Sequence, residues 1–178
     1  MSITDVLDAI QTKVDEALPA LRRCEVHGGR FDLKELRRVA TKTPAVFISL
    51  LAAPEIKIVA TGERDITLLI GVHIVTSDKP RLPRNVSVIN ILQALLLLIP
   101  INDWGLKKID PPESINAQNL YSGDVDKHGI AMWAISFKQT VRLGCDLYLE
   151  DGVIPTEIYW SESPKIGVDH KDDYEQIV

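Results

Sequence analysis

The sequence is poor in the residues from which small metal sites and disulfide frameworks are built. It has two cysteines, Cys24 and Cys145, and four histidines, and none has the C-x-x-C or H-x-x-x-H spacing that brings two metal ligands together. Two cysteines are also too few for a disulfide-stabilised scaffold and suit a reducing compartment. We therefore expect two free thiols and no bound metal.

Glycine-rich phosphate loops and nucleophile motifs are missing as well. The chain contains no G-x-x-x-x-G-K-[ST], no G-x-G-x-x-G and no G-x-S-x-G, so nothing indicates a nucleotide-binding loop or a hydrolase nucleophile elbow. Without that elbow, the His27-Gly28-Gly29 sequence is more typical of a turn than of an oxyanion loop. No catalytic, cofactor-binding or metal-binding residue is predicted, and we expect a protein that is not an enzyme.

Positive charge is in deficit. Twenty Lys and Arg against 25 Asp and Glu give a net charge of -5, which argues against a protein that binds nucleic acid by neutralising phosphates. The first ten residues lack the basic and then apolar pattern of an export signal. The longest uncharged stretch, residues 86–102, contains polar residues and Pro100 and is shorter than a membrane-spanning helix requires. We expect a cytoplasmic protein without membrane contact.

The chain does contain the hydrophobic patterning of a single α+β domain. Its 178 residues, 46% of them hydrophobic, are enough for one sizeable core. Apolar residues at helical spacing from Ile3 to Leu21 predict a first helix with one buried face. Asp32 followed by Glu35 resembles a capping pair and predicts a short second helix over residues 33–40.

A third helix is predicted over residues 86–99, ending at Pro100 because proline cannot continue the hydrogen-bond ladder. Its buried side is predicted to be formed by Val88, Ile89, Leu92, Leu95, Leu96 and Ile99. The helix is apolar around most of its circumference, so it is either the central helix on a sheet or a helix that another subunit partly covers. The sequence leaves both alternatives open.

Period-two alternation of apolar residues predicts the sheet. Strands are expected at residues 24–26, 45–51, 56–60, 66–74, 115–121 and 129–143. The segment 45–51 is apolar on both alternate sets, as in a central strand, and 56–60 with 66–74 forms a hairpin. In 129–143 the odd positions form a buried set that only Gln139 interrupts. The predicted fold is α+β, a mainly antiparallel sheet packed by two to three helices in a single domain.

The C-terminal part differs from the rest in charge. Residues 146–178 carry nine Asp or Glu and only Lys165 and Lys171, a net charge of -7, so residues 1–145 carry +2 of the total of -5. With Pro155, Pro164 and little periodicity, residues 146–178 are predicted to form an acidic arm or tail that is extended or partly disordered. Residues 1–145 are predicted to form the core.

Arginines supply the best candidates for a partner-binding surface. They concentrate early in the chain and around a proline-containing loop, at Arg22, Arg23, Arg37, Arg38, Arg81 and Arg84. They are either solvated charges on a helix face or a patch that binds an acidic neighbour, such as the acidic arm of an adjacent subunit.

Three stretches of the chain carry a family resemblance. They are ELRRVA at 35–40 leading into TPAVFI at 43–48, residues 95–106 ending in Trp104-Gly105-Leu106, and residues 119–144, which include GIAMW at 129–133. These patterns of packing residues, with the order of helices and strands, resemble the tail terminator (tail completion) proteins of Mu-like contractile-tailed phages. The resemblance covers about residues 1–145.

The resemblance implies a structural virion assembly protein. It implies a hexameric ring of identical subunits that caps the tail tube, ends its polymerisation and helps to join tail to head. The implied partners are the tail tube and sheath proteins and the head–tail connector protein, with no sequence-specific nucleic acid. The implied locations are the host cytoplasm during assembly and then the virion tail. Two alternatives are another phage neck or head–tail joining protein and a small cytoplasmic hydrolase.

Overall fold

A computed structural model of the chain describes residues 1–29, 42–127, 129–148 and 157–177. The chain divides into two compact units, Met1–Cys145 and Asp146–Val178. The short helix predicted at residues 33–40 lies outside the described residues.

The first unit combines helices with a five-stranded sheet. Its described helices are α1 (Ile3–Ala17), α2 (Arg84–Leu98) and α3 (Gly123–Lys127), and a 3-10 turn, Ile99–Ile101, follows α2. Its strands are β1 (Arg23–Val26), β2 (Ala45–Ile58), β3 (Arg64–Ser77), β4 (Glu113–Asn119) and β5 (Ile130–Leu143). The sheet order is β1-β2-β3-β5-β4. Only the β1–β2 pair is parallel, which confirms the predicted α+β class with a mainly antiparallel sheet.

A capping box starts α1. The Ser2 hydroxyl accepts a hydrogen bond from the Asp5 amide at 3.2 Å, and the Asp5 carboxylate accepts one from the Ser2 amide at 2.7 Å. These two bonds satisfy donors that have no partner in the first helical turn, and they lower the pKa of Asp5. The helix buries Val6, Leu7, Ile10 and Val14, the apolar face that its sequence spacing predicts.

Strand β3 lies at the centre of the sheet. It is paired with β2 on one side and with β5 along its whole length on the other. Leu68, Ile70, Val72 and Ile74 are completely buried in the main core cluster, as the alternation of the sequence predicts. The core therefore sits on the helix-bearing face of β3.

The prediction of separate strands at 45–51 and 56–60 is wrong, because β2 is continuous. Two register shifts, between Leu50 and Ala52 and between Ala52 and Glu55, each accommodate one extra residue as a β-bulge. Pro54 is tolerated because β1 pairs with β2 only as far as Ile48 and the remaining edge needs no donor. The inner half of β2 is buried, whereas all residues of its outer half, 51–58, are exposed.

Helix α2 packs on the sheet with most of the predicted side. Val88, Leu92, Leu95 and Ile99 are buried and Leu96 packs on the core, as predicted, but Ile89 is exposed. Ile91 and Ser87 are buried in addition. Apolar residues on several sides of the helix left the edges of its buried side poorly defined by periodicity. The segment Arg84–Ile101 is long and apolar enough to cross a membrane, and a third of it is buried against the rest of the protein.

The polypeptide between β4 and β5 also departs from the expected turn. Strand β4 ends at Asn119 and not at residue 121, and α3 follows. The Ser122 hydroxyl accepts a hydrogen bond from the Val125 amide at 3.2 Å, which supports the first turn of this helix. Val125 is buried in a smaller second cluster on the opposite face of the sheet, with Phe47 and Ile130.

The second unit contains a small two-stranded antiparallel sheet. Its strands are β6 (Tyr159–Trp160) and β7 (Glu175–Gln176), and a 3-10 helix, Val168–Asp173, precedes β7. None of residues 157–177 is buried. The sequence analysis did not predict these elements.

Gln139, the one polar interruption in the buried set of β5, is the centre of a buried hydrogen-bond network. Its side-chain oxygen accepts a bond from Trp104 Nε1 at 2.7 Å. Its amide nitrogen donates to the carbonyl oxygens of Asp110 at 3.0 Å and Asn102 at 3.4 Å. The network attaches the loop after α2 to the sheet, because every buried polar group involved finds its partner there.

Replacement of Gln139 by alanine is expected to destabilise the protein by about 3 kcal/mol, since Trp104 Nε1 and a carbonyl oxygen would then be buried without partners. Urea unfolding followed by tryptophan fluorescence measures this loss. Gln118→Ala, at an exposed position of β4, is the matched control and should change stability by less than about 0.5 kcal/mol. Equal unfolding midpoints for the two variants would contradict the structural role of Gln139.

Candidate functional site

The side chains with the best potential for chemistry do not form a catalytic pair. Pairing of β2 with β3 places Phe47 opposite His73 and Ser49 opposite Gly71, so Ser49 and His73 share one face of the sheet. The buried Ser49 hydroxyl has no hydrogen-bond partner within the described residues, and it is therefore not bonded to His73. Burial also lowers the pKa of His73. Ser49 and His73 therefore do not form a nucleophile and base in contact.

Cys24 is not an activated nucleophile either. It is half-buried on β1, and its sulfur donates to the carbonyl oxygen of Gln11 at 3.7 Å. Burial raises the pKa of the Cys24 thiol to about 12, and the negative charges of Asp15 and Glu25 add to this effect. The thiol is thus protonated at neutral pH, whereas nucleophilic cysteines are thiolates.

No metal site is evident in the part of the chain that the structure describes. Within residues 1–29, 42–127, 129–148 and 157–177 there is no group of three His, Cys, Asp or Glu side chains that could hold an ion.

Charged residues near the turn between β2 and β3 are paired with one another. The buried Glu63 carboxylate accepts from Lys108 Nζ at 2.6 Å and from the Thr61 hydroxyl at 2.9 Å. Asp65 accepts two hydrogen bonds from Arg142, at 2.7 and 2.9 Å. Lys108 and Arg142 respectively lower the pKa of Glu63 and of Asp65. Each carboxylate of this cluster is thus paired with a basic side chain of the same cluster. The pairs anchor the β2–β3 turn to Arg142 of β5 and to Lys108 in the loop before β4.

The four described candidate arginines lie at one end of the sheet. Arg23 begins β1 and pairs with Ala45, which in turn pairs with Val75 near the end of β3. The loop that leads from β3 to α2 begins three residues later and contains Arg81, and Arg84 is the first residue of α2. The structure thus brings Arg22 and Arg23 to the same end as Arg81 and Arg84, while Arg37 and Arg38 lie outside the described residues.

Two of these arginines make ion pairs within the chain. Arg84 donates to Asp126 of α3 at 2.6 Å and lies 3.8 Å from Asp78, so it links the start of α2 to α3. Arg23 pairs with Glu25 at 2.7 Å. The Arg23 guanidinium also lies 5.7 Å from the centroid of the Phe47 ring, a cation–π distance.

Arg22 and Arg81 are exposed. Each is the neighbour in sequence of a leucine that lines a shallow groove of about 160 Å³, Leu21 and Leu82 respectively. The groove lies between the end of α1 and the start of α2. The groove itself is mainly apolar, and its lining includes the cationic Lys79, a combination suited to an acidic segment with apolar side chains.

Large apolar side chains form the other unusual surfaces of the first unit. On α2 and the turn that follows it, Val86, Ile89, Leu97 and Ile101 are exposed; on the outer half of β2, Leu51, Ile56 and Ile58 are exposed. Scattered single residues of this kind are ordinary, whereas groups of them on one element indicate contact surfaces. The sequence left open whether another subunit covers part of this helix, and it placed Ile89 wrongly on the buried side.

Comparison with known protein families identifies the family of the chain. Residues 2–141 match the model of the family described as Bacteriophage Mu, Gp37. The chain belongs to that family. Among curated proteins, no match was found.

Membership of the Mu Gp37 family makes the chain a structural, tail-related phage protein, associated with other components of the virion. It confirms the Mu-like resemblance that the sequence patterns indicate. The match begins before α1 and ends within β5, so it spans nearly the whole first unit and leaves the acidic second unit outside. The α2 surface, the outer half of β2 and the arginines at 22, 23, 81 and 84 all lie within it.

Thiol labelling tests the placement of the two cysteines. In the native protein at pH 8, the exposed Cys145 is expected to react with a thiol reagent at least about a hundredfold faster than Cys24, because the raised pKa and burial keep Cys24 protonated. Cys145→Ser should remove the fast phase, and denaturant should make both thiols reactive. Two equally fast thiols in the native wild-type chain would contradict this placement.

Stability measurements distinguish the arginines that hold the fold from those that face solvent. Arg84→Ala is expected to lower the free energy of unfolding by about 1 kcal/mol through loss of its ion pair with the partly exposed Asp126. Arg22→Ala and Arg81→Ala should each change it by less than about 0.5 kcal/mol. Urea unfolding of the three variants provides the measurement, and a loss at Arg81 equal to that at Arg84 would show that Arg81 is structural.

Proposed function

We propose that this Mu Gp37 family protein is a tail terminator. It caps the growing tail tube, ends polymerisation of the tube and helps to join tail to head, as a ring of identical subunits that we propose to be a hexamer. Its partners on this proposal are the tail tube and sheath proteins and the head–tail connector protein. It acts in the host cytoplasm during assembly and remains in the virion tail.

The observation that carries the proposal is the family match across the first unit, residues 2–141. The surface of that unit supports it, because its distinctive chemistry lies on open faces and edges. A protein that works by contact with large neighbours needs such surfaces, whereas an enzyme of small molecules generally needs a cleft with convergent polar groups. We therefore also propose that the chain has no catalytic activity and no cofactor.

A closed ring places a geometric demand on each subunit. Identical copies related by rotation meet head to tail, so one copy must present two unlike surfaces that complement each other. The exposed apolar residues of α2 and of the outer half of β2 are two unlike surfaces that support this proposal. The first unit also has a basic end, with the exposed Arg22 and Arg81, which is available for an acidic partner.

Electron microscopy of particles assembled without the protein tests the proposal. If the protein terminates the tube, deletion of its gene should give tails longer than wild type and without heads, because polymerisation then continues past the normal length. The measurement is the distribution of tail lengths and the fraction of tails attached to heads. Expression of the wild-type chain in trans is the control and should restore both.

Two outcomes would contradict termination. Headless tails of normal length would indicate a neck or head–tail joining protein, which binds at the same place without controlling length. Normal tails with heads would remove both functions. A stably folded double variant, Arg22→Glu with Arg81→Glu, supplied in trans in place of wild type, further tests the basic end: it should restore tail length less well than wild type if that end binds an acidic partner.

A further inference from the structure

The outward side of α2 carries no charge. Between Arg84 and Asp103 the sequence has no charged residue, and four large apolar side chains on that side are exposed. Val86 is 49% exposed, Ile89 44%, Leu97 71% and Ile101, in the turn that follows, 88%. We call these four residues the α2 outer face. They form two apolar pairs, Val86 with Ile89 and Leu97 with Ile101, and the exposed but uncharged Asn90 and Gln93 lie between the pairs on the same side of the helix.

Such a surface is unusual for a helix that packs on a sheet. The outward side of an amphipathic helix is normally polar or charged, and a helix that is apolar all round is normally buried all round. Only about a third of this helix is buried. The free energy gained by removing four large apolar side chains from water indicates that another molecule covers the α2 outer face in the assembled state.

The chain's own sheet cannot cover this face. Val88, Leu92 and Leu95 are buried in the main core cluster between α2 and the sheet. Ile89 of the α2 outer face borders a cavity with Ala131 and Trp133 of β5, whereas Leu97 and Ile101 are its two most exposed residues. Strand β2 belongs to the same sheet, so its exposed residues cannot reach the α2 outer face of the same copy.

The outer half of β2 offers a complementary surface. Ile56 is 60% exposed and Ile58 78%. Glu55 and Lys57, at the alternate positions, form an ion pair of 3.1 Å with each other. Because side chains alternate along a strand, one side of this segment is apolar and the other holds two charges that cancel.

Contact through side chains fits this segment better than addition of a further strand to its edge. Pro54 has no amide to donate, and two β-bulges interrupt the strand between Leu50 and Glu55. Both features block regular pairing along an open edge. The apolar side formed by Ile56 and Ile58 remains available.

We propose that the Ile56–Ile58 side of β2 in one copy packs on the α2 outer face of the next copy, in a head-to-tail contact repeated around the assembly. The inference rests on the proposed ring and names the contact that closes it. The occupant is a second copy because each chain carries both apolar surfaces but cannot join them within itself. Charge is consistent with this choice, since the α2 segment after Arg84 has no charged residue and Glu55 and Lys57 beside Ile56 and Ile58 neutralise each other, so neither surface requires a charged partner.

Cysteine cross-linking between differently substituted copies tests the contact. Ile58→Cys and Leu97→Cys are each introduced into a Cys145→Ser background, where the remaining Cys24 is half-buried and protonated. Mild oxidation of the two proteins mixed together should give a covalent dimer of twice 19.8 kDa, and either protein alone should give little. No dimer in the mixture, or equal dimers in each protein alone, would overturn the proposal.

A charge-insertion variant provides an independent measurement. Leu97→Lys with Ile101→Lys should shift the sedimentation-equilibrium mass of the full chain from an oligomer to the 19.8 kDa monomer, while circular dichroism remains unchanged. Thr12→Lys with Ala17→Lys, at two exposed positions of α1, adds the same two charges to another helix and should leave the oligomer intact. An unchanged mass in the α2 variant, or a wild-type chain that is monomeric at its highest soluble concentration, would overturn the proposal.

The tail phenotype separates failure of this contact from failure of the proposed function. If gene deletion gives long tails but no cross-link forms between the Ile58→Cys and Leu97→Cys proteins, the proposed termination function stands and the proposed contact is rejected. The Leu97→Lys and Ile101→Lys variant can also keep the wild-type oligomer mass but lose binding of the tail tube protein. That result would assign the α2 outer face to the tube and would likewise reject the contact between copies.

Discussion

The pairing of β3 with β2 and β5 is the constraint on which the first unit depends. β3 is fourteen residues long and pairs with β5 along its whole length. Its even positions form the floor on which α2 packs, whereas α1 packs mainly on β1 and β2. The turn end of β3 is held by the ion pair between Asp65 and Arg142. Strand β2 pairs with β3 as far as Ile58, across two bulges, and is therefore as long as β3. It extends beyond its pairing with β1, and its outer half is exposed.

Ion pairs inside the first unit determine which charges remain for partners. Glu63, Asp65 and Asp126 are matched by Lys108, Arg142 and Arg84. These pairs hold loops and helix ends on the sheet. Lys108, Arg142 and Arg84 are therefore already paired and are less available to an acidic partner. Arg22 and Arg81 remain exposed at one end of the sheet, each next in sequence to a leucine that lines an apolar groove. At the other end Arg64 is exposed, so basic side chains are available at both ends.

Sequence patterns predicted the parts of the structure that local periodicity controls. The alternation in β3, the amphipathic α1 and the polar interruption at Gln139 were all visible, and the α+β class followed from them. On α2, periodicity gave most of the buried side but placed Ile89 wrongly, since a helix with apolar residues on several sides gives no sign that Ile89 faces solvent. It also failed on β2, where bulges shift the alternation. The role of Arg84 was beyond reach, because its partner Asp126 lies 42 residues away and only the fold brings them together.

The proposed head-to-tail contact divides two roles between kinds of surface. On that proposal the α2 outer face meets the Ile56–Ile58 side of β2, and burial of apolar surface supplies the stabilisation. Glu55 and Lys57 pair with each other beside Ile56 and Ile58, and the α2 segment after Arg84 has no charged residue, so the contact itself needs no charged partner. Charged residues elsewhere on the first unit then serve to disfavour other orientations, a division of roles that specific interfaces commonly use.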